Sequence, residues 1–403
     1  MSQLTGNALV GQSGGPTCVI NQSLVGVIEG CLAAEAITGV YGTLQGIQGV
    51  LDEDFVDLAQ ESAENLERVA NAPCAALRSI RKKPTREDCE TMLGVFERYN
   101  IRFFFYIGGN DSAETAHLLN EVAVERGYEI RLFHVPKTID NDLRVNDHTP
   151  GYGSAARFVI QALMGDNLDN YSLGGIKINV IMGRNAGWLT AAARLARHPD
   201  DDGPHLIYVP EADFSMEEFL TSVEARYRES GRCLVAVSEG IHFADGTLVA
   251  AGKGADAFGN VQLSGSGSLG DLLSAEVKGA LGKSARVRAD TFGYLQRSYL
   301  GVVSEQDAFE AREVGRHAVR VAAAGDVPHG SVVILRDSEG GKYKPRFDVT
   351  ELKNVARDTQ ELPDDFVLGA NDIAPAFIDY CAPLVGPIPA PGRLAGVAVP
   401  KRP

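Results

Sequence analysis

Short apolar runs recur along this chain with helix-like stretches between them, and that rhythm restricts the fold more than any other feature. The runs at 8–10 (ALV), 103–107 (FFFYI), 132–135 (LFHV) and 176–181 (IKINVI) are followed by others at 206–209, 234–237 and 332–335. They are too short for helices and read as strands buried on both faces, with amphipathic segments such as 215–227 and 308–324 as the covering helices. Strands alternating with helices define an α/β fold with mostly parallel sheets. In such sheets ligands sit beyond the carboxyl ends of strands, where helix N-termini present backbone N–H groups, so the functional residues are expected where the apolar runs stop.

Bulk properties narrow the classes. With 403 residues, 44% of them hydrophobic, the chain is long enough for two domains with separate cores. No stretch approaches the roughly 20 apolar residues of a membrane span, and the first residues lack a secretory pattern, so a cytoplasmic protein without a membrane partner is expected. The six cysteines show no C-x-x-C spacing and read as reduced thiols, mostly buried. A formal charge of −15 disfavours nucleic acid as a partner, so an anionic ligand needs a local basic pocket. The stretch from Gly252 to Gly270, rich in Gly and Ser, reads as a mobile loop, and the segment from about Gly340 as an appended tail wrapping the domains.

Four clusters follow strands. Gly11-Gln12-Ser13-Gly14-Gly15-Pro16-Thr17 allows backbone amides to turn toward an anion, although such glycine turns also arise for steric reasons alone. Gly108-Gly109-Asn110-Asp111-Ser112 repeats the pattern. A carboxylate at Asp111 would repel a phosphate unless a cation intervened, and either Asn110 or Asp111 can equally cap the helix that follows. Pro136-Lys137-Thr138-Ile139-Asp140-Asn141-Asp142 gathers a cation, a hydroxyl and two carboxylates. Phosphoryl transfer to a hydroxyl needs a base, a cation for the transferring group and a carboxylate near Mg²⁺, which suggests Asp140, Lys137 and Asp142 respectively; the bland reading is a solvated Asx-rich turn. In Met182-Gly183-Arg184, the arginine can fork onto a phosphoryl oxygen. Glu239, Arg288 and the segment Gly293-Tyr294-Leu295-Gln296-Arg297 would suit a sugar phosphate, though each alone is an ordinary salt-bridge partner.

In this order, the clusters resemble the phosphofructokinase family over roughly residues 8–297, and more loosely to about 335. The resemblance implies a phosphofructokinase fold of two Rossmann-like three-layer domains. The larger, donor-binding domain would be 1–153 plus about 302–340, the smaller sugar-phosphate domain 154–301, with 341–403 an extension packed on them. It implies transfer of a phosphoryl group to the 1-hydroxyl of fructose 6-phosphate, giving fructose 1,6-bisphosphate, with Mg²⁺ as cofactor. Gly15 would contact the donor, Asp140 would take the hydroxyl proton, and Thr138 and Asp140 would flank the substrate. Met182, Gly183, Arg184, Glu239, Tyr294 and Arg297 would bind the sugar phosphate. Arg288 would reach the sugar's 6-phosphate from a neighbouring subunit, hence a homodimer or homotetramer; Arg81 matches a donor-side arginine more loosely.

Asp111 and Lys137 stand where family members that use ATP carry glycines and members that use pyrophosphate carry Asp and Lys. The physics agrees: Asp111 would repel the α-phosphate of a nucleotide, whereas Lys137 can grip compact pyrophosphate, leaving phosphate as product. The chain departs from the family at Asn110, where many members have a Mg²⁺-binding Asp, and around Gly175, where a sugar-phosphate Arg is missing and Lys177 is the nearest substitute. The alternatives are an ATP-dependent member, a non-catalytic ligand-binding subunit, and a Gly-Gly-Asp kinase for NAD or lipids. Acceptors such as sedoheptulose 7-phosphate stay open.

Overall fold

The computed structural model describes residues 4–197, 203–250, 267–282, 284–339, 342–356, 358–394, 396–397 and 399–402. The expected apolar runs all become strands: β1 (Gly6–Gln12), β4 (Ile101–Gly108), β5 (Arg131–Pro136), β6 (Gly175–Ile181), β7 (Leu206–Tyr208), β8 (Arg232–Ser238) and β10 (His329–Glu339). Among the described residues six strands escaped the sequence reading: β2 (Ile37–Thr43), β3 (Phe55–Asp57), β9 (Val287–Thr291), β11 (Lys342–Thr350) and the two-residue pair β12 (Val367–Leu368) and β13 (Asp372–Ile373). β2 (ITGVYGT) is broken by Thr and Gly, and β11 alternates between exposed and half-buried residues, so neither carries an unbroken apolar run.

Two sheets result. The larger has seven strands in the order β11-β10-β5-β4-β1-β2-β3, parallel except at its antiparallel edges β3 and β11. The smaller has four parallel strands in the order β7-β8-β6-β9. In the larger sheet the chain runs outward in opposite directions from β1 and β4. The turns after these two strands therefore open a crevice at a topological switch point. The same geometry recurs where β6 lies between β8 and β9.

Behind the first turn, helix Ile20–Ala33 crosses helix Glu305–Ala324 so closely that a Cβ on Gly26 would collide with the Arg312 carbonyl oxygen, and one on Gly315 with that of Ser23. Glycine is required there by backbone contact, and the crossing anchors the helix that leaves the first glycine turn. All six cysteines are free thiols, and all but Cys74 are buried. Among the described residues no helix is long and apolar enough to cross a membrane. Residues 251–266 of the expected mobile loop lie outside the described residues, while from Ser268 to Leu281 the chain is helical. Replacing Gly26 with Val should destabilise the fold by roughly 1–3 kcal/mol or more through overpacking. Urea denaturation would show this as a lower midpoint, and an unchanged midpoint would mean the two helices part without cost.

Candidate active site

The turns after β1, β4, β5, β6 and β8 converge on one cavity of about 390 Å³. Its lining includes Gly15, Asn110, Asp111, Lys137, Thr138, Asp140, Met182, Arg184, Glu239, Tyr294 and Arg297. Thus side chains separated by nearly 300 positions meet at one place because both sheets point their carboxyl ends at it. Two predicted residues do not line this cavity among the described residues. Gly183 is buried behind it, its carbonyl accepting a 2.5 Å hydrogen bond from Ser238 Oγ. Arg288 is exposed on β9, the edge strand of the smaller sheet.

Lys137 ties the first turn to the third. It is buried, and its Nζ donates to the Gly15 carbonyl at 2.6 Å. Its own N–H donates to the Gly108 carbonyl at 2.9 Å, so the second turn is held as well. Burial, then the nearby Arg297 and Arg81 guanidinium groups, bring the Lys137 ammonium down to about 7. An anion entering the cavity would restore its charge. Arg81 and Arg297 both overhang the first turn: a Cβ on Gly15 would lie 2.5 Å from Arg297 Nη1 and 3.5 Å from Arg81 Nη2. Arg297 also packs over the Tyr294 ring, 4.5 Å from its centroid. Arg297, expected to serve the sugar phosphate, lines the cavity beside the Gly15 turn.

Against these cations stand two carboxylates. Burial raises Asp140 above the usual carboxylate range, while Lys137, Arg297, Arg184 and Arg81 pull it back. Burial and then the neighbouring Asp140 raise Asp142 to about 7. Between them Asn141 adopts a left-handed conformation, φ 59°, which turns the chain sharply at the reacting loop. The Asp140 N–H donates to Thr138 Oγ1 at 3.1 Å, closing a small turn beneath the carboxylate.

Asp111 is 68% exposed and paired with Lys83 at 2.9 Å. Both also line a neighbouring groove of about 230 Å³ walled by Glu114 and Glu121, so this ion pair stands between groove and cavity. Asn110 donates through Nδ2 to the Asp358 carbonyl at 3.0 Å, which leaves its amide oxygen as the atom it can offer a cation. Among the described residues no group of three His, Cys, Asp or Glu side chains is placed to hold a metal. Oxygen atoms of Asp140, Asp142 and Asn110 nevertheless form a hard donor set beside an anion pocket, and Mg²⁺ is commonly bound by one or two carboxylates plus substrate phosphates. Lys177, the nearest substitute for the missing arginine, is paired with Asp166 at 3.1 Å and with Asp290.

The structure gives supporting roles to two residues for which the sequence reading assigned none. His134, fully buried and brought down to about 4 mainly by burial, is neutral and joins Gly108 O to Ser331 Oγ, each at 2.8 Å, stiffening the second turn. Gln296 accepts from the Met182 N–H at 3.2 Å and donates to the Gly293 carbonyl at 2.9 Å, binding the fourth turn to the Tyr294–Arg297 segment. His134 lies inside the apolar run of β5, where no local signal marks it, whereas Gln296 sits in the quoted Gly293–Arg297 segment without its bonds being readable there.

Fold and site together define an α/β protein with a cation-rich cleft and two half-buried carboxylates facing it. The family model described as phosphofructokinase matches residues 7–322. A pyrophosphate–fructose 6-phosphate 1-phosphotransferase from Rhodospirillum rubrum is 49% identical over 386 residues, 94% of this chain and 94% of that protein. Crystal structures of pyrophosphate-dependent phosphofructokinases from Nitrosospira multiformis and Marinobacter aquaeolei superpose with TM-scores of 0.84 each. The first is 31% identical and covers 98% of both chains; the second is 32% identical and covers 97% of this chain and 94% of its own. The chain belongs to the phosphofructokinase family.

The paired carboxylates give a direct test. Replacing Asp142 with Asn removes a like charge and should lower the apparent pKa of Asp140; replacing Lys137 with Met removes a cation and should raise it. Carboxyl ¹³C titrations would read both shifts, and no movement in either variant would separate these groups electrostatically.

Proposed function

We propose that this chain transfers a phosphoryl group from pyrophosphate to the 1-hydroxyl of fructose 6-phosphate, giving fructose 1,6-bisphosphate and phosphate, reversibly and with Mg²⁺. The observation that carries the reading is Asp140, enclosed at the base of the cavity and opposed by Lys137, Arg81, Arg184 and Arg297. Such a site can ionise a base beside a polyanion and neutralise charge that builds on the transferring group. In the forward direction Asp140 accepts the proton of the sugar 1-hydroxyl as its oxygen forms a bond to phosphorus. The bridging P–O bond of pyrophosphate breaks, and phosphate leaves with the electron pair. Lys137, Arg81 and the Gly14-Gly15 turn hold the donor; Arg184 faces the transferring group; Met182, Glu239 and Tyr294 hold the sugar. Asp142 and Asn110, with Asp140, are the residues that would hold Mg²⁺, which supplies charge neutralisation for the phosphates.

The division of labour proposed is a donor unit of 1–153 with about 302–340, and a sugar-phosphate unit of 154–301. Arg288, exposed on an edge strand, suits a reach into a neighbouring copy, and thus a homo-oligomer. Pyrophosphate is favoured over ATP because a nucleotide would have to pass the Lys83–Asp111 pair into a groove walled by two further carboxylates. A cytoplasmic setting in sugar-phosphate metabolism fits this reaction.

A coupled assay with fructose 6-phosphate and Mg²⁺ should give turnover with pyrophosphate and not with ATP; activity with ATP alone would sink the donor assignment, and silence with both the reading as a whole. Asp140→Ala should lower kcat about 10²–10⁴-fold with KM for the sugar phosphate little changed. Near-normal turnover would remove Asp140 from the proton transfer. Asp111→Gly should weaken use of pyrophosphate and admit ATP feebly, since Lys137 still favours the compact donor. An unaltered donor preference would show that position 111 does not discriminate.

A further inference from the structure

The segment after residue 341 carries no motif, yet its backbone and side chains are threaded into the reacting loop. The Gln360 N–H donates to the Asp142 carbonyl at 2.8 Å, and Leu143 forms an antiparallel bridge with Thr359. Asn110 donates to the Asp358 carbonyl, and Thr359 itself lines the cavity. The deepest of these contacts comes from helix Ala376–Val385, whose Tyr380 hydroxyl accepts from Asn141 Nδ2 at 2.9 Å and donates to the Asp147 carbonyl at 2.8 Å. Asn141 is the left-handed residue between the two carboxylates, and its amide oxygen accepts from the Thr149 N–H at 2.9 Å. One side chain thereby spans the loop from Thr149 to the C-terminal helix.

Tyr380 is itself held from both sides. The Arg336 guanidinium lies between the rings of Tyr343 and Tyr380, 4.5 and 4.7 Å from their centroids. It forks onto the Asp147 carboxylate with bonds of 2.9 and 3.0 Å and donates to the Tyr380 carbonyl at 3.1 Å. Asp147 also meets His148, which in turn meets the buried Glu310 at 2.6 Å. A hydroxyl fixed in such a network has little freedom to follow a moving partner, so it constrains the partner instead.

We infer that Tyr380 is a positioning residue for phosphoryl transfer: through Asn141 it fixes the turn that aims Asp140 at the acceptor hydroxyl, and the C-terminal segment is thereby a structural part of the active site. This rests on the reaction proposed above, because it takes Asp140 as the base. The hydroxyl touches no cavity-lining atom that would bind substrate, so its removal should act on the orientation of the base and leave the affinities of donor and sugar phosphate alone.

Tyr380→Phe keeps the ring between its neighbours and removes only the hydroxyl. The expected result is a fall in kcat of about 10- to 100-fold with KM for both substrates within about twofold of the parent, since small misplacements of a reacting group are costly in rate. Phe377→Leu, in the same helix and packed in the core, serves as the control: it should lower the melting temperature while kcat stays near that of the parent. Hydrogen exchange over residues 138–149 gives a readout independent of turnover, and Tyr380→Phe should speed it while Phe377→Leu does not. A kcat for Tyr380→Phe equal to the parent's, or equal losses in both variants, overturns the inference even if the reaction is as proposed. Should the parent turn over neither donor, the proposed reaction fails and the catalytic role with it; exchange then decides only whether Tyr380 holds the 138–149 loop, which unchanged exchange in Tyr380→Phe would refute.

Discussion

The bond from the buried Lys137 ammonium to the Gly15 carbonyl is the interaction on which the rest of the site depends. A cation withdrawn from water needs compensation, and here it comes from one carbonyl and two nearby carboxylates, partly offset by two arginines. That balance leaves the empty cavity short of negative charge. A compact polyanion completes it, and the same bond ensures that the glycine turn after β1 is shaped around the anion's place.

The carboxylates pose the converse problem. Asp140 lies close enough to Asp142 to raise its proton affinity, and the turn between them places a left-handed residue that is not glycine. Asn141 is suited to this because its short amide can bond locally, and it spends both ends of that amide on Thr149 and Tyr380. Strain at the reacting loop is thus met by hydrogen bonds from a helix more than two hundred residues away in sequence. His134 and Gln296 do comparable work behind the second and fourth turns. The first three turns hang on the larger sheet and those after β6 and β8 on the smaller one, and Arg297, overhanging Gly15 from the smaller-sheet side, links them.

Much of this was legible in the chain because α/β folds place function where apolar runs end. Lys137, Asp140, Arg184 and Glu239 each sit just past a strand recognisable from its composition, and all four line the cavity. The edge strands β3, β9 and β11 were not legible, since an edge needs no continuous apolar run, and β11's polar alternation looks like tail; the inner strand β2 was hidden by its Thr and Gly residues. Nor could spacing reveal that Lys83 pairs with Asp111, that Lys177 is spent on Asp166 and Asp290, or that Arg297 reaches the donor-side turn.

By itself, the sequence determined the α/β class, the strand-end turns and the chemical inventory of cation, hydroxyl and carboxylate, because hydrophobic patterning and residue type are local properties. Only the tertiary structure decided which cations face Asp140, how far burial shifts the Asp142 carboxyl and the Lys137 ammonium, and that the C-terminal helix holds Asn141. Those outcomes depend on distances between segments remote in sequence and on the exclusion of water from between them, and both come into being only when the two sheets and the C-terminal segment pack together.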